Sequence, residues 1–298
     1  MIFSQPSHAG EPMLSDAFLN RLDLLSLRMK HPASGGSGGL RRSKALGSSV
    51  EFSDFREYAA GDDIRRLDWN AYARFDRLFL KLFMEEQEQR VNIIVDGSAS
   101  MDFGEPNKWE SAKKLAEMLC YLSLCGGDRV MLYVINGPKI VSSRALSGRQ
   151  SYPAASEFLA RITPSGQAEL TLPALSLPQG RGLSVLISDM LYEAGYERPL
   201  QSLLYRKQEI SVLQLWSHEE WEPTLDDTVE LVDSETNQTH VVTTNFDLLK
   251  RYRQTAAAYL AELQQYCRSH AITHAFMMPE PNFEDQLLRE LSQLGLIG

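Results

Sequence analysis

Asp96, Ser98 and Ser100 are three oxygen-bearing side chains at alternate positions, separated only by Gly97 and Ala99. That spacing in a slim loop lets one carboxylate and two hydroxyls converge, and such hard donors suit Mg²⁺ or a similar small cation completed by water. The uncharged run Val91-Asn92-Ile93-Ile94-Val95 precedes them. A run of that kind reads as a buried strand, and in an open parallel sheet ligands gather outside the carboxyl ends of the strands. The plainer alternative is that Ser98 and Ser100 cap a following helix while backbone amides hold Asp96. A second apolar run, Val185-Leu186-Ile187, finishes in Ser188-Asp189-Met190. A carboxylate there is placed to approach the first loop and to bind the ion directly or through water.

The composition narrows the function classes. At 298 residues and 43% hydrophobic content, the chain can build a real core. No apolar run reaches the roughly 18 residues of a membrane helix, and Met1 to Pro6 lack the basic start and apolar centre of a secretory signal. These features predict a cytoplasmic protein with no direct membrane insertion. Cys120, Cys125 and Cys267 have no paired spacing, which suggests neither a disulfide framework nor a zinc site. A net charge of −9 argues against nucleic acid as the main ligand, since phosphate binding wants an excess of Lys and Arg.

From Val91 onward strand-like and helix-like segments alternate, the pattern of a mostly parallel sheet covered by helices. The strand candidates are Val91 to Val95, Arg129 to Ile135, Leu183 to Ile187, Ile210 to Leu215 and Ile272 to Met277. Lys108 to Leu124 reads as a helix stopped by Gly126-Gly127. Further helices are expected at Pro153 to Ile162, Tyr196 to Lys207, Phe246 to Ser269 and Glu284 to Leu294, with a hairpin from Asp227 to Val242. Upstream, Leu14 to Lys30 has helical spacing, and His31 to Gly39 reads as a flexible Gly/Ser loop. The expected domains are 1–90, a helix, loop and Arg/aromatic-rich arm packed on the main domain, and 91–298, the main domain itself.

The run Phe55-Arg56-Glu57-Tyr58-Ala59-Ala60-Gly61-Asp62-Asp63-Ile64-Arg65-Arg66-Leu67-Asp68-Trp69-Asn70, followed by Ala73-Arg74 and Leu78, resembles the signature of the family called domain of unknown function 58. Asp96-Gly97-Ser98-Ala99-Ser100-Met101, Lys108, Gly127-Asp128-Arg129-Val130 and Ile187-Ser188-Asp189 fall where that family would place them. The resemblance implies bacterial origin and an α/β fold that is von Willebrand factor A-like (Rossmann-like): a mostly parallel central sheet flanked by helices, with an N-terminal extension and a C-terminal hairpin plus long helix. It implies a metal-ion-dependent adhesion site at Asp96, Ser98, Ser100 and Asp189 that takes Mg²⁺. It also implies partnership with a MoxR-type AAA+ ATPase in remodelling or activating a client protein complex, with no established catalytic activity. One departure bears on the ion: where the family pattern has Gly-Gly-Thr-Asp-Leu, this chain has Gly166-Gln167-Ala168-Glu169-Leu170. The threonine ligand is absent, which weakens or abolishes the ion site unless water or Ser165 substitutes.

In the arm, Arg56, Arg65, Arg66 and Arg74 are expected to pair with Glu57, Asp62, Asp63 and Asp68, with Trp69 as a hydrophobic anchor. The alternative makes Arg56, Arg65, Arg66, Asp68, Trp69 and Arg74 a docking surface for the ATPase or its client. The expected function is a non-catalytic protein-binding module. The alternatives are a Mg-dependent phosphohydrolase-like enzyme and a metal-free scaffold with a decayed ion site. Against an enzyme, the one Gly-x-Ser-x-Gly match, Gly35 to Gly39, falls in the Gly/Ser loop rather than after an apolar strand, the chain has no phosphate-binding Gly-x-x-x-x-Gly-Lys loop, and Ser98 stands where a haloacid-dehalogenase-like site wants a second Asp.

Overall fold

The computed structural model describes residues 13–25, 27, 51–59, 64, 67–84, 89–177, 179–223, 228–232, 239–243 and 245–298. In chain order these form α1 (Asp16–Leu22), β1 (Glu51–Glu57), α2 (Trp69–Phe75), β2 (Phe79–Met84), β3 (Arg90–Asp96), α3 (Lys108–Cys125), β4 (Arg129–Asn136), β5 (Lys139–Ser142), β6 (Leu146–Ser147), α4 (Tyr152–Ala160) and α5 (Thr171–Ser176). There follow β7 (Gly182–Ser188), α6 (Glu197–Tyr205), β8 (Gln208–Leu215), α7 (His218–Trp221), β9 (Thr228–Val232), β10 (Thr239–Thr243), α8 (Phe246–Ser269), β11 (Thr273–Met277) and α9 (Phe283–Gln293).

The main sheet runs in the order β11-β8-β7-β3-β4-β5, with β6 also paired to β4. Every pairing from β11 through β4 is parallel, and β5 and β6 run antiparallel to β4. The α/β class and the mostly parallel sheet therefore stand as expected.

Alternation along the central strand explains the two helical layers. Val91, Ile93 and Val95 face one core, and Ile94 faces the other. Their first layer is α1, α3, α4 and α9, contributing Phe18, Leu22, Leu115, Leu119, Leu159 and Leu287. The second is α5, α6 and α8, with Leu200, Leu203 and Leu263. Asn92 is the buried polar exception on β3. Its amide donates to Gln208 Oε1 at 3.1 Å, which removes the cost of an unpaired group.

The chain divides into two compact units, one of 34–88 and the other of 1–33 with 89–298. That division differs from a boundary at residue 90, because α1 lies in the larger core through Phe18 and Leu22, 1% and 0% exposed. Ser15 caps α1 by accepting from Phe18 N at 3.2 Å. The helix ends at Leu22 rather than near Lys30: residues 23 and 24 turn, and Leu27 pairs instead with Ile297 in a β-bridge. Residues 28–39, which include the expected Gly/Ser loop, lie outside the described residues.

The smaller unit contains an antiparallel pair, β1 with β2, where the sequence predicts an Arg/aromatic-rich arm. Asp68 begins α2, accepting from Asn70 N at 2.9 Å and Ala71 N at 3.2 Å.

Candidate functional site

Three adjacent parallel strands end in polar residues at the same edge of the sheet. β3 ends in Asp96, β7 in Ser188 followed by Asp189, and β8 is followed by Trp216 and Ser217. Parallel pairing of Val95 with Ile187 and of Ser188 with Gln214 brings these ends level. Strand register, rather than proximity in sequence, builds the site.

Asp96 is fully buried, and both of its oxygens are engaged. Oδ1 accepts from Ser98 N at 2.9 Å; Oδ2 accepts from Ser188 Oγ at 2.9 Å and from the Tyr192 hydroxyl. Burial, reinforced by the negative charge of Asp189, pushes the Asp96 carboxyl above its ordinary range. Burial and the Asp96 charge together hold Tyr192 well above the usual phenol value, so it stays a donor. Asp96 thus anchors the loop and supplies charge to it.

Ser98 and Ser100 turn their hydroxyls toward each other, with the two oxygens 3.0 Å apart. Ser100 Oγ donates to Asp189 Oδ2 at 3.1 Å. Ser98 occupies the N-cap position of a short 3-10 turn, Ala99–Met101, yet makes no side-chain cap bond. The capping alternative therefore fails for Ser98, while its other half holds, since a backbone amide does bind Asp96.

The loop is clasped from the opposite side. Ser165 N donates to Gly97 O at 2.8 Å, and Ala99 N donates to Gly166 O at 2.9 Å. Only glycine fits at 97, where a Cβ would lie 2.8 Å from Val134 Cγ1 and 2.9 Å from Ile135 O. Ala168 is buried, the Ser165 hydroxyl donates to Asn136, and Glu169 accepts from Thr171 Oγ1 at 2.7 Å.

Lys108, at the start of α3, enters the same cluster. Its ammonium, 0% exposed, donates to Asp189 Oδ2 at 3.0 Å and to Glu220 Oε1 at 2.5 Å. Burial works to lower the Lys108 pKa, but the two carboxylates outweigh it and the net displacement is upward. Burial raises Glu220 against the opposing pull of Lys108. Glu220 is itself fixed by a reciprocal cap: its Oε2 accepts from Ser217 N at 2.7 Å, and its N donates to Ser217 Oγ at 3.1 Å. The backbone carbonyl of Asp189 accepts from Trp216 Nε1 at 2.8 Å and Gln214 Nε2 at 3.0 Å. The sequence reading placed Lys108 only by family resemblance and missed Tyr192, Trp216 and Glu220 altogether.

The donor set passes a chemical test for a hard cation. Two hydroxyls and one Asp189 oxygen converge, and two carboxylates, Asp189 and Glu220, pair with one ammonium while Asp96 is held by Ser98, Ser188 and Tyr192. Among the described residues no group of three or more His, Cys, Asp and Glu is placed to hold a metal, so serine hydroxyls and water must complete any coordination.

Of the candidates in the smaller unit, Arg56 and Arg74 are exposed and Asp68 caps α2. Trp69 is 64% exposed and meets Tyr72 edge-on at 6.4 Å. Glu57 pairs with Arg77 at 3.3 Å. Arg65, Arg66, Asp62 and Asp63 lie outside the described residues.

The model of the family described as protein of unknown function DUF58 matches residues 54–262. This chain belongs to the DUF58 family. An uncharacterized protein of Mycobacterium tuberculosis and another of Mycobacterium bovis are each 28% identical over 255 residues, covering 83% of this chain and 80% of theirs. Among solved structures, this DUF58 chain is similar to the conserved hypothetical protein BatB of Bacteroides thetaiotaomicron, with a TM-score of 0.43, 17% identity, and 70% of this chain and 98% of that one covered. It is also similar to the SpRpn10 VWA domain, with a TM-score of 0.38, 12% identity, and 68% and 94% covered. Among the described residues no helix is long and apolar enough to cross a membrane.

Proposed function

We propose that this DUF58 protein is a non-catalytic, von Willebrand factor A-like protein-binding module whose recognition surface is the loop Asp96 to Ser100 with Asp189. One observation carries the proposal: Ser98, Ser100 and Asp189 converge within 3.0–3.1 Å steps at the carboxyl ends of two adjacent strands. Ser98, Ser100 and Asp189 would hold Mg²⁺, with Asp96 contributing charge from behind. Such an ion supplies a positive acceptor for an Asp or Glu of the partner. The Asp96 oxygens are taken by Ser98, Ser188 and Tyr192, and the Asp189 oxygen that Ser100 meets is paired with the Lys108 ammonium, which supports a binding role over a general-base one.

The partner in this reading is a MoxR-type AAA+ ATPase, acting with the module on a client protein complex. Co-purification of the full chain with that ATPase tests it. Capture is expected in Mg²⁺ and is expected to drop with chelator, with Ser98→Ala and with Asp96→Ala. Capture that ignores all three favours a metal-free scaffold, the reading that Ala168 supports.

A further inference from the structure

Asp189 Oδ2 accepts from two donors at once: Ser100 Oγ at 3.1 Å and Lys108 Nζ at 3.0 Å. The second donor is a full positive charge, and it sits on the same oxygen that a cation at the two serines would use. A lysine ammonium is a compact point charge with three donors, closer to a bound cation in character than a guanidinium is. Its other partner, Glu220, is locked by the Ser217 cap, so the ammonium is held from both sides rather than left to swing away.

The burial of this group explains why it is there. Asp96 and Asp189 are 0% and 1% exposed, and two carboxylates in such surroundings need a compensating positive charge. Among the described residues the ion pairs to Asp189 come from Lys108. The loop therefore carries a cation that is part of the chain. The same charge repels any ion that arrives, and it must share Asp189 Oδ2 with that ion.

We infer that Lys108 is the residue that sets divalent-cation affinity at this site: its ammonium keeps the loop assembled without an ion and competes with an ion for Asp189. This rests on the ion-binding reading above and adds to it a cause of weak binding separate from Ala168. Removing one positive charge a few ångströms from a site in protein surroundings changes cation affinity roughly ten- to a hundred-fold.

Titration calorimetry of the full chain with Mn²⁺ alone tests the inference in wild type, Lys108→Met and Lys108→Gln. Methionine keeps the length of the stem without charge. Glutamine keeps an N–H donor for Asp189 without charge, which guards against a methionine variant that fails to fold. Both variants are expected to bind Mn²⁺ roughly ten- to a hundred-fold more tightly than wild type, and Mn²⁺ is expected to raise their melting temperatures more than that of wild type. A lysine that merely positions Asp189 gives the opposite sign. Equal or weaker binding in folded variants overturns the inference and leaves the ion site standing. Absence of Mn²⁺ binding in all three proteins overturns the ion site and the inference together.

Discussion

The Tyr192 hydroxyl donates to Oδ2 of Asp96 across 96 positions of sequence, and Ser188 Oγ donates to the same oxygen at 2.9 Å. Both donors come from β7 and the turn after it, so the carboxylate at the end of β3 is fixed by its neighbouring strand. The turn is itself held: Met190 has a positive φ of 61°, its N donates to Ser188 Oγ at 2.8 Å, and Tyr259 of α8 donates to its carbonyl.

Tyr192→Phe removes one donor from a buried carboxylate while keeping the ring. A hydrogen bond to a charged group contributes about 1.5–3 kcal/mol, so unfolding in urea should show a loss near 2 kcal/mol. An unchanged midpoint would mean that Ser188 and Ser98 satisfy Asp96 alone.

How much of this arrangement was legible beforehand depended on the range of the forces involved. β3, β4, β7 and β8 were readable because each is a short, largely apolar run between polar breaks, and β11 because Thr273, Ala275 and Met277 bury alternate positions of a short strand. Asp96, Ser98, Ser100 and Asp189 were readable as strand-end polar residues. β1 and β2 were not, because their aromatics and charges alternate too irregularly and their register slips between Phe52 and Asp54. The Lys108 pairs with Asp189 and Glu220 join residues 81 and 112 positions apart, so no local pattern announces them. α7 has only four residues, too few for periodicity, although Ser217 and Glu220 carry the spacing of a capping box.

Gly97→Ala should damage the loop without touching any polar group in it. Its Cβ would press on Val134 Cγ1 at 2.8 Å and on the Ile135 carbonyl at 2.9 Å, and that carbonyl accepts from Gly97 N. Overpacking of this kind costs about 1–3 kcal/mol. Thermal melting of the variant beside wild type checks it, and equal melting temperatures would show that β4 yields freely at this point.

Ser217→Ala should weaken the far end of the Lys108 chain. The hydroxyl that caps α7 is lost, at a cost of about 1 kcal/mol, and Glu220 is left with the Ser217 backbone N and Lys108. The effect should be smaller than that of Glu220→Ala, which removes both the reciprocal cap and one of the two carboxylates on the buried ammonium. Urea unfolding of both variants orders them, and the reverse order would contradict the pairing described for Lys108.

His274 predicts an acid-side loss of stability with a definite sign. It lies on β11, with Nε2 at 3.1 Å from Gln214 Oε1, and Gln214 in turn donates to the Asp189 carbonyl. Burial lowers its pKa from 6.5 to about 4. The native protein therefore resists the proton that the unfolded chain accepts. Above pH 6.5 neither state is charged and the residue contributes no pH dependence; between 6.5 and about 4 the unfolded state gains the proton first, and stability falls as pH falls. The full difference amounts to about 3 kcal/mol. His274→Gln cannot take up the proton in either state, so the stability gap between wild type and variant, read by urea unfolding, should shift by about 3 kcal/mol in favour of the variant from pH 7 to pH 4. A gap that stays constant across that range would place a charged imidazole in the native protein and contradict its burial.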